Sequence, residues 1–427
     1  MLSALVAQYQ RPDSFSLTQD LPNEIILLTD QTTVTLSNIE ISSQLFLVLL
    51  EKTRVTVGES FSITKHARNE DCIRENSMAI NSPFCLGGYD AVSSLVLENI
   101  RRMPPSSIGC VLKEVTFTET GLINILPKLR INKDKVIEWL RLDTNEKEHV
   151  AIIHEQSQTF CVGGVEKMEL TGYAVSILPE LRIYEDCVVE KLLIAATGKE
   201  QIAPILDKEQ PFYIGRVKKL NLEHYAVNIL PKMRTHGDSM AEWLELYASE
   251  DESVARILEH NQSIYIGRVK TIWLENYAVS ILPKLEIHED NKIRRLMLRA
   301  SEEKHVSAIL AQDQTFFVRG VKIIWLEDYA VRTLTKLRIH EDNIMLYFLL
   351  FADGEQFSKI LGEKDNSIEL GRIISFGLRI PREIRRKLRY SLVDERGKEV
   401  AEKKYEEEES WLSEEKERSC QRMLFLE

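Results

Sequence analysis

In Thr271-Ile272-Trp273-Leu274-Glu275-Asn276-Tyr277-Ala278-Val279-Ser280-Ile281-Leu282-Pro283 an alternating apolar run gives way to a Tyr-Ala-Val, Ile-Leu-Pro signature. The signature also stands at Tyr173 to Pro179 and Tyr225 to Pro231, and returns altered at Tyr329 to Thr335, a period of 52 residues. A more divergent copy keeps Ile125, Leu126 and Pro127. Copies then run over residues 109–160, 161–212, 213–264, 265–316 and 317–368, with Gly371, Arg372 and Ile373 opening a truncated sixth. Self-similarity at a fixed period of this size is the mark of a stacked repeat architecture, because one unit cannot bury its apolar face alone.

Within the copy quoted, Val269, Ile272 and Leu274 read as a short strand, and Ile293, Leu296 and Leu298 repeat the spacing L-x-x-L-x-L. From Leu274 to Leu298 to Leu326 the separations are 24 and 28 residues, the length of one strand plus one returning turn or helix. Between the strands, residues 278–285 predict a short helix opened by its proline. Residues 302–311 predict a second helix with Val306, Ile309 and Leu310 on one face. Each copy is thus strand, helix or tight turn, strand, helix. This resembles the leucine-rich-repeat family, and the alternation of two unequal repeats is similar to its ribonuclease-inhibitor subtype. The resemblance covers residues 109–378 and implies an α/β solenoid of about five double repeats. Where that family places an Asn or Cys after the strand, this chain has Tyr173, Tyr225, Tyr277 and Tyr329, or Thr197, Ser249 and Ser301; Asn145 is the one match. The turns must therefore be held by other groups.

Upstream, residues 24–29 and 33–36 predict two strands of a hairpin around Asp30 and Gln31, followed by a helix over residues 42–51. The string Ile26-x-Leu28-x-Asp30-x-x-x-Val34-x-x-x-x-Ile39-x-x-Ser42, with Phe84-Cys85-Leu86 before residues 91–100, resembles the Skp-type adaptor and BTB/POZ domains. That resemblance implies a small α/β domain over residues 23–105 and, as a partner, a cullin or other ubiquitin-ligase component. Leu21-Pro22-Asn23-Glu24-Ile25 is also similar to the opening of an F-box, which would make an F-box-type adaptor. A plain cap shielding the first repeat is the remaining reading. The expected domain order is a tail (1–22), the Skp/BTB-like domain (23–105), the leucine-rich-repeat-like solenoid (106–378) and a charged, helical C-terminal cap (379–427).

Composition narrows the function classes. Lys plus Arg total 55 against 66 acidic residues, a net charge of −11, which disfavours nucleic acid or an anionic membrane as partner. The longest apolar run, Leu45 to Leu50, is too short to span a bilayer, and the chain opens without a basic leader, so a cytoplasmic protein is expected. Six scattered cysteines with no Cys-x-x-Cys pair predict neither a zinc site nor a disulfide scaffold. No phosphate-loop, H-E-x-x-H or G-x-S-x-G motif occurs, so neither enzyme activity nor a cofactor is expected. His288-Glu289-Asp290 and His340-Glu341-Asp342 resemble metal ligands, as do Tyr184-Glu185-Asp186 and His236-Gly237-Asp238 at equivalent places. Equivalent positions two strands apart lie about 9–10 Å from each other, too far to share an ion, and these residues are expected in exposed turns. Cys420, in the charged tail, lacks a flanking catalytic domain.

A binding surface is better marked. The middle residue of L-x-L points away from the core, and there the first series reads Glu169, Asn221, Trp273 and Trp325. Trp139, Trp243, Tyr247, Tyr347 and Phe351 share that outward parity in the second series. Aromatic residues gathered on one open sheet face predict a protein target: the expected function is a non-enzymatic interaction protein, with a ligase adaptor or a structural scaffold as the two ways of using it.

Overall fold

The computed structural model describes residues 12–21, 25–65, 72–75, 83–88, 92–132, 134–235, 241–259, 263–287, 293–313, 315–318 and 320–400. The chain divides into two units, Met1–Glu242 and Trp243–Glu427. Both are mixed α/β, and in each the main sheet is built of consecutive parallel strands. No helix among the described residues is long and apolar enough to cross a membrane.

In the first unit the main sheet runs Phe84–Gly87, Leu112–Thr118, Val136–Thr144, Gly164–Gly172, Val188–Ala196 and Arg216–His224, each parallel to the one before. In the second it runs Trp243–Ala248, Thr271–Asn276, Arg295–Ala300, Ile323–Asp328, Tyr347–Phe351 and Leu378–Arg379 in the same manner. The register sets Leu274 opposite Leu298 and Leu298 opposite Leu326, so the L-x-L leucines form continuous rows. Leu244, Leu246, Ile272, Leu274, Leu296, Leu298, Ile324 and Leu326 are all buried. They pack under the connectors, because a parallel partner can be reached only by a crossover segment.

The first connector is a 3-10 helix, Tyr173–Ile177, Tyr225–Lys232, Tyr277–Lys284 and Tyr329–Thr335 in successive copies. Its proline does not open the helix as expected: Pro231 and Pro283 are the last residue but one. The second connector pairs a 3-10 turn with a short α-helix, as in Glu303–Val306 and Ser307–Leu310. Its start is closed by one device in three places. The Gly198 amide donates to Gln201 Oε1 at 3.1 Å, that of Glu302 to His305 Nδ1 at 3.2 Å, and that of Asp353 to Gln356 Oε1 at 2.8 Å.

His305 is 2% exposed, and burial pushes its imidazole below the ordinary value of 6.5, with Glu302 opposing. A group bound less readily by protons when folded stabilises fully above the unfolded value and loses that contribution as pH falls through the window beneath it. The urea midpoint of the protein is therefore expected to drop as pH falls below 6.5. His305→Gln, which copies the cap already made by Gln201, should flatten that acid limb. An unchanged pH profile in the variant would remove His305 from the account.

Two devices tie successive coils together, one at the turn that closes a first-series strand and one at the far end of the connector. The residue at the end of each first-series strand has positive φ: Glu119, just past its strand, and Gly172, His224, Asn276 and Asp328, the last of theirs, lie between 49° and 64°. Only glycine adopts this freely, and at Glu119 and Asn276 the side chain reaches across to the next turn. Glu119 accepts from Asn145 N and Nδ2 at 3.1 and 2.7 Å, and Asn276 Oδ1 accepts from Ser301 N and Oγ at 3.3 and 3.1 Å. At Gly172 a Cβ would stand 2.0 Å from the Thr144 carbonyl oxygen.

The second device is a lysine clamp. Lys128 Nζ donates to the Met103 carbonyl at 2.8 Å, Lys232 to that of Lys208 at 2.5 Å, Lys387 to that of Glu363 at 2.7 Å, and Lys336 to that of Gln312. Each acceptor lies one or two residues past the short helix one coil earlier, so a carbonyl of the turn leaving that helix gains a donor. In the copy that has Glu180 at this position the polarity is reversed: Lys208 donates to Glu180 at 2.5 Å. Burial pushes the Glu180 carboxyl up, but hydrogen bonds from His154 and Lys208 hold it below its ordinary value.

Residues 25–65 depart from the expected hairpin. Residues 27–29 form no strand, and Thr33–Leu36 pairs in parallel with Ser14–Leu17 and Arg54–Val57. Ile39–Ser42, Phe61–Thr64, Ile108–Cys110 and Leu129–Ile131 make a second parallel set, with Ile73–Glu75 antiparallel at its edge. The strand expected over residues 33–36 forms, but its partners lie a coil away rather than across a tight turn. The helix does form, over Ser43–Lys52, capped by Ser42 Oγ accepting from Leu45 N at 3.2 Å. Buried Asn99 on the helix Ser94–Arg102 locks it in place, donating to the Leu50 and Thr53 carbonyls at 2.9 and 2.8 Å and accepting from Val55 N at 2.9 Å.

At the other end, among the described residues 379–400 of the expected helical cap, one helical turn is followed by a strand. After the single turn Arg382–Arg385, Leu388–Val393 pairs in parallel with Ile368–Ile374. Lys387 is 8% exposed and pairs with Asp365 at 2.9 Å. Residues 401–427, including Cys420, lie outside the described residues.

Candidate functional site

Six of the seven aromatic residues singled out in the sequence lie in the second unit, on the face of the sheet opposite its leucine rows. Three outward rows cross the strands there, with neighbours about 4.8 Å apart. The first row is Trp243, Thr271, Arg295, Ile323 and Tyr347. The second is Glu245, Trp273, Met297, Trp325, Leu349 and Arg379. Tyr247, Glu275, Arg299, Glu327 and Phe351 make the third.

Trp243, Tyr247, Trp273, Tyr347 and Phe351 are half-buried. Trp325 is not the exposed ring that its parity predicted, since only 3% of it is accessible. Its register is outward, but Met297 and Leu349 flank it and the Phe351 ring lies over it at 4.7 Å between centroids. Its Nε1 donates to Glu327 Oε2 at 3.3 Å. Parity assigns a face; it does not count the long neighbours that close over a ring. At the end of the first row Tyr347 meets Phe376 edge-on at 6.0 Å. Trp139 lies in the first unit, 43% exposed, between Glu114 and Lys167 in register.

The third row carries charge that the sequence reading passed over, although the same parity rule marks it. Arg299 stands 3.4 Å from Glu275, 3.6 Å from Glu327 and 3.6 Å from Asp328. One guanidinium therefore serves three carboxylates. Burial pushes the Glu275 carboxyl up, Arg299 opposes, and the Glu245, Glu327 and Asp328 carboxylates push it further.

Other aromatic residues are more exposed and also repeat every 52 residues: Tyr213 at 48%, Tyr265 at 51% and Phe317 at 71%. Each is the second residue of a short strand on the connector side, opposite Arg234, Glu286 and Arg338. Reading the period at this position, and not only at the L-x-L positions, would have found them.

The candidate metal ligands fall in turns. Tyr184 O accepts from Cys187 N at 3.0 Å and His340 O from Asn343 N at 2.9 Å, and both triplets follow a short strand, Leu181–Arg182 and Leu337–Ile339. His236-Gly237-Asp238 and His288-Glu289-Asp290 lie outside the described residues. Among the described residues no group of three His, Cys, Asp or Glu is arranged to hold a metal ion. Burial pushes the Cys110 thiol up to about 12, and burial followed by Glu114 raises that of Cys85; activated thiols are shifted the opposite way. Searches against protein-family models, curated proteins and solved structures find no match to this chain.

Proposed function

We propose that this chain is a non-enzymatic protein-interaction protein of leucine-rich-repeat type that holds a protein target on the outward sheet face of its second unit. The observation that carries the reading is Trp273. Its indole is half-buried on a strand fixed by parallel neighbours on both sides, with Trp243, Tyr247 and Tyr347 on the same face. A rigid platform of large rings loses little entropy on binding, which is why such residues dominate interface energetics. The strand separations of 24 and 28 residues and the buried L-x-L rows support the repeat assignment.

The test is affinity capture from cell lysate with the full chain, a Trp273→Ala chain and a Trp139→Ala chain. A target held by the first and third but lost by the second is expected. Equal recovery on all three would end the proposal. The adaptor role rests on the resemblance of residues 23–105 alone, and the parallel pairing of that region lends it no support; recovery of a cullin in the same capture would restore it.

A further inference from the structure

Tyr265 and Phe317 stand on the connector side of the second unit, a different surface from the Trp273 face, and the period fixes what lies between and beside them. Tyr265 is in register with Glu286, and Phe317 with Arg338. Each short strand precedes the next main strand, so along the stack the order is Tyr265, Glu286, Phe317, Arg338. Successive positions are about 5 Å apart. Arginine is the rule at the second place of each pair: Arg130, Arg182, Arg234 and Arg338 follow one period, and Glu286 departs from it. That one departure puts opposite charges on the two sides of Phe317.

The ladder is open to solvent. Phe317 is 71% exposed and Tyr265 51%. Glu286 is exposed and makes no hydrogen bond or ion pair among the described residues. The Arg338 guanidinium spends Nη1 on the carbonyls of Thr335 and Leu337, at 3.4 and 2.9 Å, and its other nitrogens meet no acceptor among the described residues.

We propose that this ridge pairs with the same ridge of a second copy of the chain, about a two-fold axis that passes at Phe317. Such an axis reverses the order of the ladder. Phe317 then stacks on the partner's Phe317, Glu286 meets the partner's Arg338, and Arg338 meets the partner's Glu286. Two rings that each lie mostly in water gain from burial against one another. The two charge pairs fix direction and register more than they add affinity. In the first unit the equivalent places hold Arg130, Arg182 and Arg234, and a row of like charges does not complement itself. A ridge against a ridge buries a small area, so the dimer is weak and forms reversibly with concentration.

The experiment is sedimentation equilibrium of the full chain over rising concentration, for the native protein, Phe317→Ser, Glu286→Arg, Arg338→Glu and the double exchange Glu286→Arg/Arg338→Glu. A reversible dimer is expected, weakened at least about tenfold by each single change, because each charge reversal sets like charges opposite one another twice. The double exchange restores opposite charges at both places and should return the affinity to near the native value. That rescue also separates a lost interface from a fold disturbed at Arg338. A monomer at every concentration up to about 1 mM, a dimer indifferent to the single changes, or a double exchange weaker than either single one would overturn the proposal. None of these outcomes bears on the Trp273 face, whose test is the lysate capture.

Discussion

Gly377→Ala is expected to cost at least about 3 kcal/mol, one of the largest effects of any single methyl group in this chain. Gly377 is buried where the chain doubles back past the strand Tyr347–Phe351. A Cβ there would lie 1.7 Å from the Leu346 carbonyl oxygen and 2.8 Å from its carbon. Neither backbone can withdraw. Gly377 donates to the Ile374 carbonyl at 2.8 Å and accepts from Phe348 N at 2.9 Å, while Leu346 N donates to the Lys322 carbonyl at 2.7 Å. Relief requires opening at least one of these bonds and pulling Leu378 from its place opposite Phe348. Urea unfolding, with hydrogen exchange across residues 344–393 to localise the loss, is the measurement. Gly354→Ala is the control, because nothing lies within 4 Å of a Cβ there. A Gly377→Ala chain as stable as the control would mean that the close approach is not a feature of the native fold.

The second large effect separates two tryptophans that the sequence treats alike. Trp325→Ala should destabilise by about 3–5 kcal/mol, the usual cost of emptying a buried aromatic site, because the ring is packed between Met297 and Leu349 beneath Phe351. It also deprives Glu327, 9% exposed, of a donor. Trp139→Ala should stay within about 0.5 kcal/mol, since its ring is 43% exposed. Thermal and urea unfolding of both variants decide the matter. Equal, small losses would put Trp325 back on the open face.

The contrast shows what the sequence carried and where it stopped. Strand identity and face were legible in the period of the chain: a residue at L-x-L either packs into the leucine row or opposes it, and Leu274, Leu298 and Leu326 fall where their spacing put them. Degree of burial was not, because it depends on the neighbours brought alongside, and for Trp325 those come from residues 297 and 349–351. The hairpin at residues 24–36 failed for a related reason. Thr33 to Leu36 has strand propensity, but propensity names no partner, and the partners are residues 14–17 and 54–57. The charged row of Glu275, Arg299 and Glu327 obeys the same parity rule and is legible from it.

The lysine clamps also bear on how such a chain can acquire its structure as it leaves the ribosome. In four places a carbonyl just past a short helix is claimed by an ammonium only 24 or 25 residues later. Strand pairing closes over similar distances, so a coil can be fastened once roughly one further coil has emerged, without waiting for the C-terminus. Chains built from such short-range contacts pay little loop-closure entropy at each step. The exposed apolar edge during synthesis is then never more than the latest coil, and the hazard of non-specific association is confined to that moving end.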